Sequence, residues 1–143
     1  MKIQLISFLL LNVIHLSSQN FNGYYRSKET SFKDDLNPKS NFNCKTILNI
    51  FIKYSEKTKE NNYILITDPK ENKVFKYILT GNAIVMPQSK YYISAFWFKN
   101  CYSQTSKSKV DIIIYYNFEN QMTLMLSSSE KSQALKKMVK IRT

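Results

Sequence analysis

Tyr91-Tyr92-Ile93-Ser94-Ala95-Phe96-Trp97-Phe98-Lys99-Asn100-Cys101 contains the only tryptophan of the chain and one of its two cysteines. β-Branched and aromatic residues fill it, and neither glycine nor proline interrupts it. Turn-forming Pro87-Gln88-Ser89 precedes it and Ser103-Gln104-Thr105-Ser106 follows, so the stretch reads as a strand. Successive side chains of a strand point to opposite faces. Ile93, Ala95 and Trp97 therefore share one face, and Tyr92, Phe96 and Phe98 the other. Both faces are bulky and apolar. Such a strand needs cover on both sides, as in a central sheet strand or a barrel with a filled interior.

Strands extend outward from it in both directions. Cys44 to Ser55 places Thr46, Leu48, Ile50, Ile52 and Tyr54 on one side and Lys45, Asn49 and Lys53 on the other, a long half-buried strand. Asn62 to Thr67 and Lys73 to Thr80 are two more, separated by Asp68-Pro69-Lys70-Glu71-Asn72. Gly81-Asn82 predicts a tight hairpin into Ala83 to Met86. Downstream, Val110 to Phe118 alternates again and pairs across Glu119-Asn120 with Gln121 to Leu126. Ser127-Ser128-Ser129-Glu130 fits a capping box, which predicts a short helix over Lys131 to Lys137 and a last edge strand at Met138 to Ile141. Toward the start, Phe21 to Ser27 reads as a short strand and Ser31 to Asn43 as a polar loop. The predicted fold is all-β: an antiparallel meander of about eight strands, closed as a barrel or folded as a sandwich, with a short C-terminal helix and a terminal edge strand.

Ile3 to Ile14 is mostly apolar, preceded by Lys2 and followed by Leu16-Ser17-Ser18, which reads as a secretory signal peptide over residues 1–18. The run is short and broken for a membrane span. The expectation is a single domain over residues 19–143, secreted or periplasmic and not membrane-spanning after cleavage. In an oxidising compartment Cys44 and Cys101 are expected to form one disulfide, worth roughly 4 kcal/mol by loop closure. The alternative is two buried free thiols.

Composition narrows the function classes. The sole histidine, His15, lies in the leader, so the processed chain has no histidine for Ser-His-Asp or Cys-His catalysis or for metal ligation. Gly23 and Gly81 are the only glycines, and no phosphate-cradling loop is present. Asp34-Asp35 and the Glu56/Glu60 pair lie in loops, and Glu29, Asp34 and Asp35 lack the alternating ligand spacing of a calcium loop. The chain is therefore expected not to be an enzyme, with no cofactor and no metal. A net charge of +11, carried mostly by scattered lysines, favours anionic partners or a solvated surface. The cluster Lys131, Lys136, Lys137, Lys140 and Arg142 fits either. Rings with a polar tip suit ligand contact. The candidate ligand-binding residues are Tyr24, Tyr91, Tyr92, Trp97 and Tyr102. Rings interleaved with Lys90 and Lys99 resemble single-stranded nucleic-acid platforms, but nucleic acid is not expected for an exported chain.

Gly23-Tyr24-Tyr25 in an opening strand, a meander, a helix after the last long strand, a final strand and Arg142 near the end together resemble the order of a lipocalin, or a wider calycin barrel. That family carries Gly-x-Trp in its first strand and a late arginine over it. Tyr25 stands here in the tryptophan's place. The resemblance implies a secreted cup for a hydrophobic small molecule. The expected function is thus a non-enzymatic β-barrel binding a small, largely apolar ligand. The alternative is a surface interaction or structural protein of the cell envelope, binding an anionic polymer or a protein partner. A core filled by Phe96, Trp97 and Ile114 would favour the alternative, and an interior cavity of a few hundred Å³ the first.

Overall fold

The computed structural model describes residues 21–58 and 60–142, so the leader expected over 1–18 lies outside the described residues. The strands are β1 (Gly23–Ser27), β2 (Glu29–Asp34), β3 (Phe42–Cys44), β4 (Leu48–Lys53), β5 (Tyr63–Asp68), β6 (Lys73–Ile78), β7 (Ile84–Met86), β8 (Ser94–Ser103), β9 (Ser108–Tyr116), β10 (Met122–Ser128) and β11 (Lys131–Arg142). β1, β4, β5, β6, β8, β9, β10 and β11 pair antiparallel in that order, and β11 returns to β1 to close an eight-stranded barrel. Closure pairs both edges of this eight-strand path, while β3 and β7 each pair on one side only.

β11 is long enough to serve two partners. Its first half pairs with β2 and its second half with β1, so β1 and β2 act as halves of one strand bent at Lys28. β3 extends the wall beyond β2, and β7 pairs with β8 further along the side that β6 also occupies.

Several expectations change. The segment Lys131 to Lys137 is strand, not helix: β10 and β11 are joined through Ser129, at φ +43°, and Glu130. Leu135 and Met138 both point inward at a spacing of three, because Lys137 (φ +53°) is an extra residue that resets the alternation. That spacing is shared with a helix, and strand pairing on both sides overrides the capping signal. Gly81-Asn82 does not fold β6 and β7 into a hairpin, since β7 pairs with β8 instead. Part of the segment Ser31 to Asn43 lies in β2 and β3 rather than in a loop.

The disulfide is also corrected: Cys44 and Cys101 are free. Cys44 pairs with Thr30 on the β2 side of the wall, whereas Cys101 pairs with Val110 on β9. These strands are not neighbours. The Cys44 sulfur lies 2.8 Å from Thr46 Oγ1, and the Cys101 thiol donates to the Phe98 carbonyl at 3.5 Å. Burial pushes the Cys101 thiol up to about 12.

An eight-stranded barrel is just wide enough inside for side chains to fill. At one end they do. Phe21 sits edge-on to Phe96 at 4.5 Å between ring centres, and Tyr54 edge-on to Phe98 at 5.1 Å. The buried Tyr25 hydroxyl donates to the Phe21 carbonyl at 2.7 Å. Ile52, Ile64, Ile112, Ile114 and Leu124 complete this packing. Trp97 does not join Phe96 and Ile114; it faces outward, as the alternation of β8 demands. A bulge at Asn100 (φ +53°) then turns Cys101 inward despite its odd number.

Candidate functional site

The opposite end of the barrel is open. Two adjoining cavities of about 190 and 260 Å³ lie there, both lined by Tyr77 of β6 and Gln133 of β11. Cross-strand register explains their walls. Gln133 belongs to the row Phe42, Phe32, Gln133, Leu126, Ile112 and Phe98, in which every other member is apolar. Thr30 belongs to the next row, between Cys44 and Leu135, which runs on through Leu124 and Ile114 to Phe96. Phe32 and Phe42 stack at 5.5 Å on the rim of the opening.

Three polar groups meet in this apolar surround. The Thr30 side chain is 5% exposed, and its hydroxyl oxygen has no hydrogen-bond partner. Among the described residues the Tyr77 hydroxyl and the Gln133 amide are likewise unpaired. Burial raises the Tyr77 pKa above the ordinary tyrosine value, so the phenol keeps its proton and can donate. Buried polar groups are normally paired. Among the described residues the buried unpaired side-chain atoms are Thr30 Oγ1 here and Trp97 Nε1 on the outer face, while Tyr77 and Gln133 are partly exposed at the opening. At roughly 30 Å³ per water, each cavity is roomy enough for several waters or one small molecule. Lys131, Lys73, Asp68 and Glu71 also line the openings, so both signs of charge are present there.

The residues singled out from sequence lie elsewhere, on the barrel's outer surface. Tyr91 and Tyr92 line an outer groove with Met86, Ile113, Tyr115 and Met125, and Tyr92 sits 6.1 Å from Tyr115. Trp97 is in the adjoining row Ile84, Trp97, Ile113, Met125, with the Lys99 ammonium 4.3 Å over its ring. Tyr102 pairs with Ile78 at the β6–β8 seam. Tyr24 lies apart from these, beside Phe51. Arg142 packs over Tyr24 at 4.1 Å rather than over Tyr25, which is buried; Lys140 lies over Tyr25 at 5.8 Å. The candidate carboxylate Asp34 accepts the Leu36 and Asn37 amides at 3.0 and 3.3 Å, holding the turn after β2.

Sequence reading missed Gln133 and Thr30. Gln133 fell in the expected helix. The six residues of β2, Glu29 to Asp34, hold a single large apolar side chain, Phe32, and gave no inward phase to read. No protein-family model matches the chain, and no curated protein or solved structure does.

Proposed function

We propose that this chain is an exported, non-enzymatic barrel that binds a small, uncharged amphipathic molecule at its open end. The observation that carries the reading is the buried, unpaired Thr30 hydroxyl beside the partly exposed Tyr77 and Gln133 side chains, at cavities walled by Phe32, Phe42, Val110 and Leu126. Apolar walls with a few placed polar groups are the usual make-up of a small-molecule site. Packing by Phe21, Phe96 and Phe98 confines the ligand to the mouth, so it is smaller and less apolar than a deep cup would take. A lipocalin or calycin kinship belongs to the same reading. It is supported by the closed eight-stranded meander and by Gly23 in the first strand.

Benzamide, toluene and benzoate test this by protein-observed NMR titration. The first has a ring with an amide that donates and accepts, the second lacks the head, and the third is charged. Benzamide should bind in the millimolar range and shift the Gln133 side-chain amide. Gln133→Leu should weaken benzamide and strengthen toluene. Equal binding of toluene and benzamide by the parent protein, or no shift with benzamide, would overturn the reading.

A further inference from the structure

The outer face of the barrel carries a second arrangement, independent of the mouth. Register aligns Arg142, Tyr24, Phe51, Leu65 and Lys76 side by side across β11, β1, β4, β5 and β6. All five belong to the outward phase, since Tyr25, Ile50, Ile52, Ile64 and Ile66 between them fill the interior. At the usual strand spacing the row spans about 19 Å. Tyr24 contacts Phe51 at 4.6 Å and Phe51 contacts Tyr63 at 5.8 Å, giving a continuous aromatic strip. Cations bracket it. Arg142 lies 4.1 Å from the Tyr24 ring, and Lys76 and Lys53 lie 4.7 and 5.8 Å from the Tyr63 ring. An open groove of about 570 Å³ runs along the strip, with Arg26 on its wall and no acidic residue lining it.

We infer that this strip is a docking surface for an acidic polysaccharide, whose C–H ring faces lie on Tyr24, Phe51 and Leu65 while its spaced anions meet Arg142, Arg26 and Lys76. Charge complementarity selects the partner's sign: the groove is wholly cationic in its charged lining, and the chain has more than twice as many basic as acidic side chains. An exported chain, as proposed above, meets acidic glycans rather than nucleic acids, which favours the glycan over the nucleic acid.

The full exported chain is titrated calorimetrically at rising salt with polygalacturonate, with neutral dextran and with oligodeoxythymidylate. Polygalacturonate should bind with an affinity that falls steeply with salt, and dextran should not bind. Phe51→Ala and Arg142→Gln should each weaken polygalacturonate by about tenfold, the size of one desolvated ring or charge contact. Lys107→Gln with Lys109→Gln removes two charges in and beside the β8–β9 turn, and affinity should hold within about twofold if the strip is specific. Should Phe51→Ala not fold by circular dichroism, Phe51→Leu keeps the bulk and removes the ring. Three results would overturn the proposal: tighter binding of the oligonucleotide, equal losses for the Lys107/Lys109 and Arg142 variants, or no polygalacturonate binding.

Discussion

Replacing Gly23 by alanine should loosen the seam at which the barrel closes. Gly23 has φ +142°, and a Cβ added there would lie 2.7 Å from Lys140 Cε and 2.8 Å from the Arg142 carbonyl oxygen. The lysine tail can swing aside. The carbonyl cannot, because Arg142 is held opposite Tyr24 in the β1–β11 ladder. Holding a residue with a side chain at that φ costs about 1–3 kcal/mol. The backbone overlap adds a similar amount if β11 stays in place. The expected loss of about 2–5 kcal/mol is large beside a total stability of about 5–15 kcal/mol. With a urea slope of about 1–3 kcal/mol/M, the unfolding midpoint should fall by roughly 1–2 M. If β1 and β11 instead part, Arg142 leaves the Tyr24 ring, and polygalacturonate affinity should drop with the stability. Gly81→Ala is the control: nothing lies within 4 Å of its added Cβ, so it should be neutral or stabilising by up to about 1 kcal/mol. An unchanged midpoint for Gly23→Ala would refute the reasoning. So would full rescue by Lys140→Ala, which would move the clash from the carbonyl to the flexible side chain.

Further outcomes follow from the packing and the buried titratable groups. Dithiothreitol should leave the melting temperature unchanged, because Cys44 and Cys101 are not bonded; a drop of several degrees would show a disulfide. Cys44 should react with a thiol reagent at pH 8 in the native state, and Cys101 should not until the barrel unfolds, as its thiol is buried and pushed up to about 12. Alkaline pH should destabilise the fold: burial raises Cys101, Tyr25, Tyr54 and Tyr77 above their ordinary values of 9.0 and 10.0, so the folded state holds these protons more tightly. That contribution is complete below about pH 9 and is lost as pH rises toward 12, so urea midpoints that rise over this window would contradict it. Phe96→Ala should cost about 3–5 kcal/mol in urea unfolding, and Trp97→Ala distinctly less, because only Phe96 points into the filled end.

The fold was legible where alternation is strict and both neighbours are strands. Leu48, Ile50, Ile52 and Tyr54 all point inward as their phase requires, as do Phe96 and Phe98. Legibility failed where one residue breaks phase. Asn100 inverts Cys101 relative to Trp97, and Lys137 gives Leu135 and Met138 the spacing of three that imitates a helix. Both residues adopt positive φ, which sequence does not announce for lysine. The mouth and the outer strip were illegible for another reason. Gln133 is apolar-surrounded only because β11 pairs with β2 and β10 in one register, and Tyr24 meets Arg142 across 118 positions of chain. No connecting turn sets the register between strands so distant in the chain, so it is read only once the barrel has closed.

The fold itself makes no demand for aromatic residues at the outward positions of β1, β4 and β5. An eight-stranded barrel with Phe21, Phe96 and Phe98 inside is stable with polar groups on that side, and exposed apolar strips favour association. Tyr24, Phe51, Tyr63 and Leu65 therefore need another cause. The other apolar row, through Ile84, Trp97, Ile113 and Met125, is partly sheltered by the Tyr91–Tyr92 segment and has Lys99 over the indole. The Tyr24 strip likewise has cations over its rings, Arg142 at Tyr24 and Lys76 at Tyr63, with Phe51 and Leu65 half-buried between them. Because exposed charges are screened beyond about 8–10 Å at physiological salt, lysines scattered elsewhere add little to a ligand lying on the strip. Affinity there depends on Arg142, Arg26, Lys76 and Lys53, the cations that share the rings' neighbourhood, and so the salt dependence of polygalacturonate binding should track those four positions rather than the net charge of the whole chain.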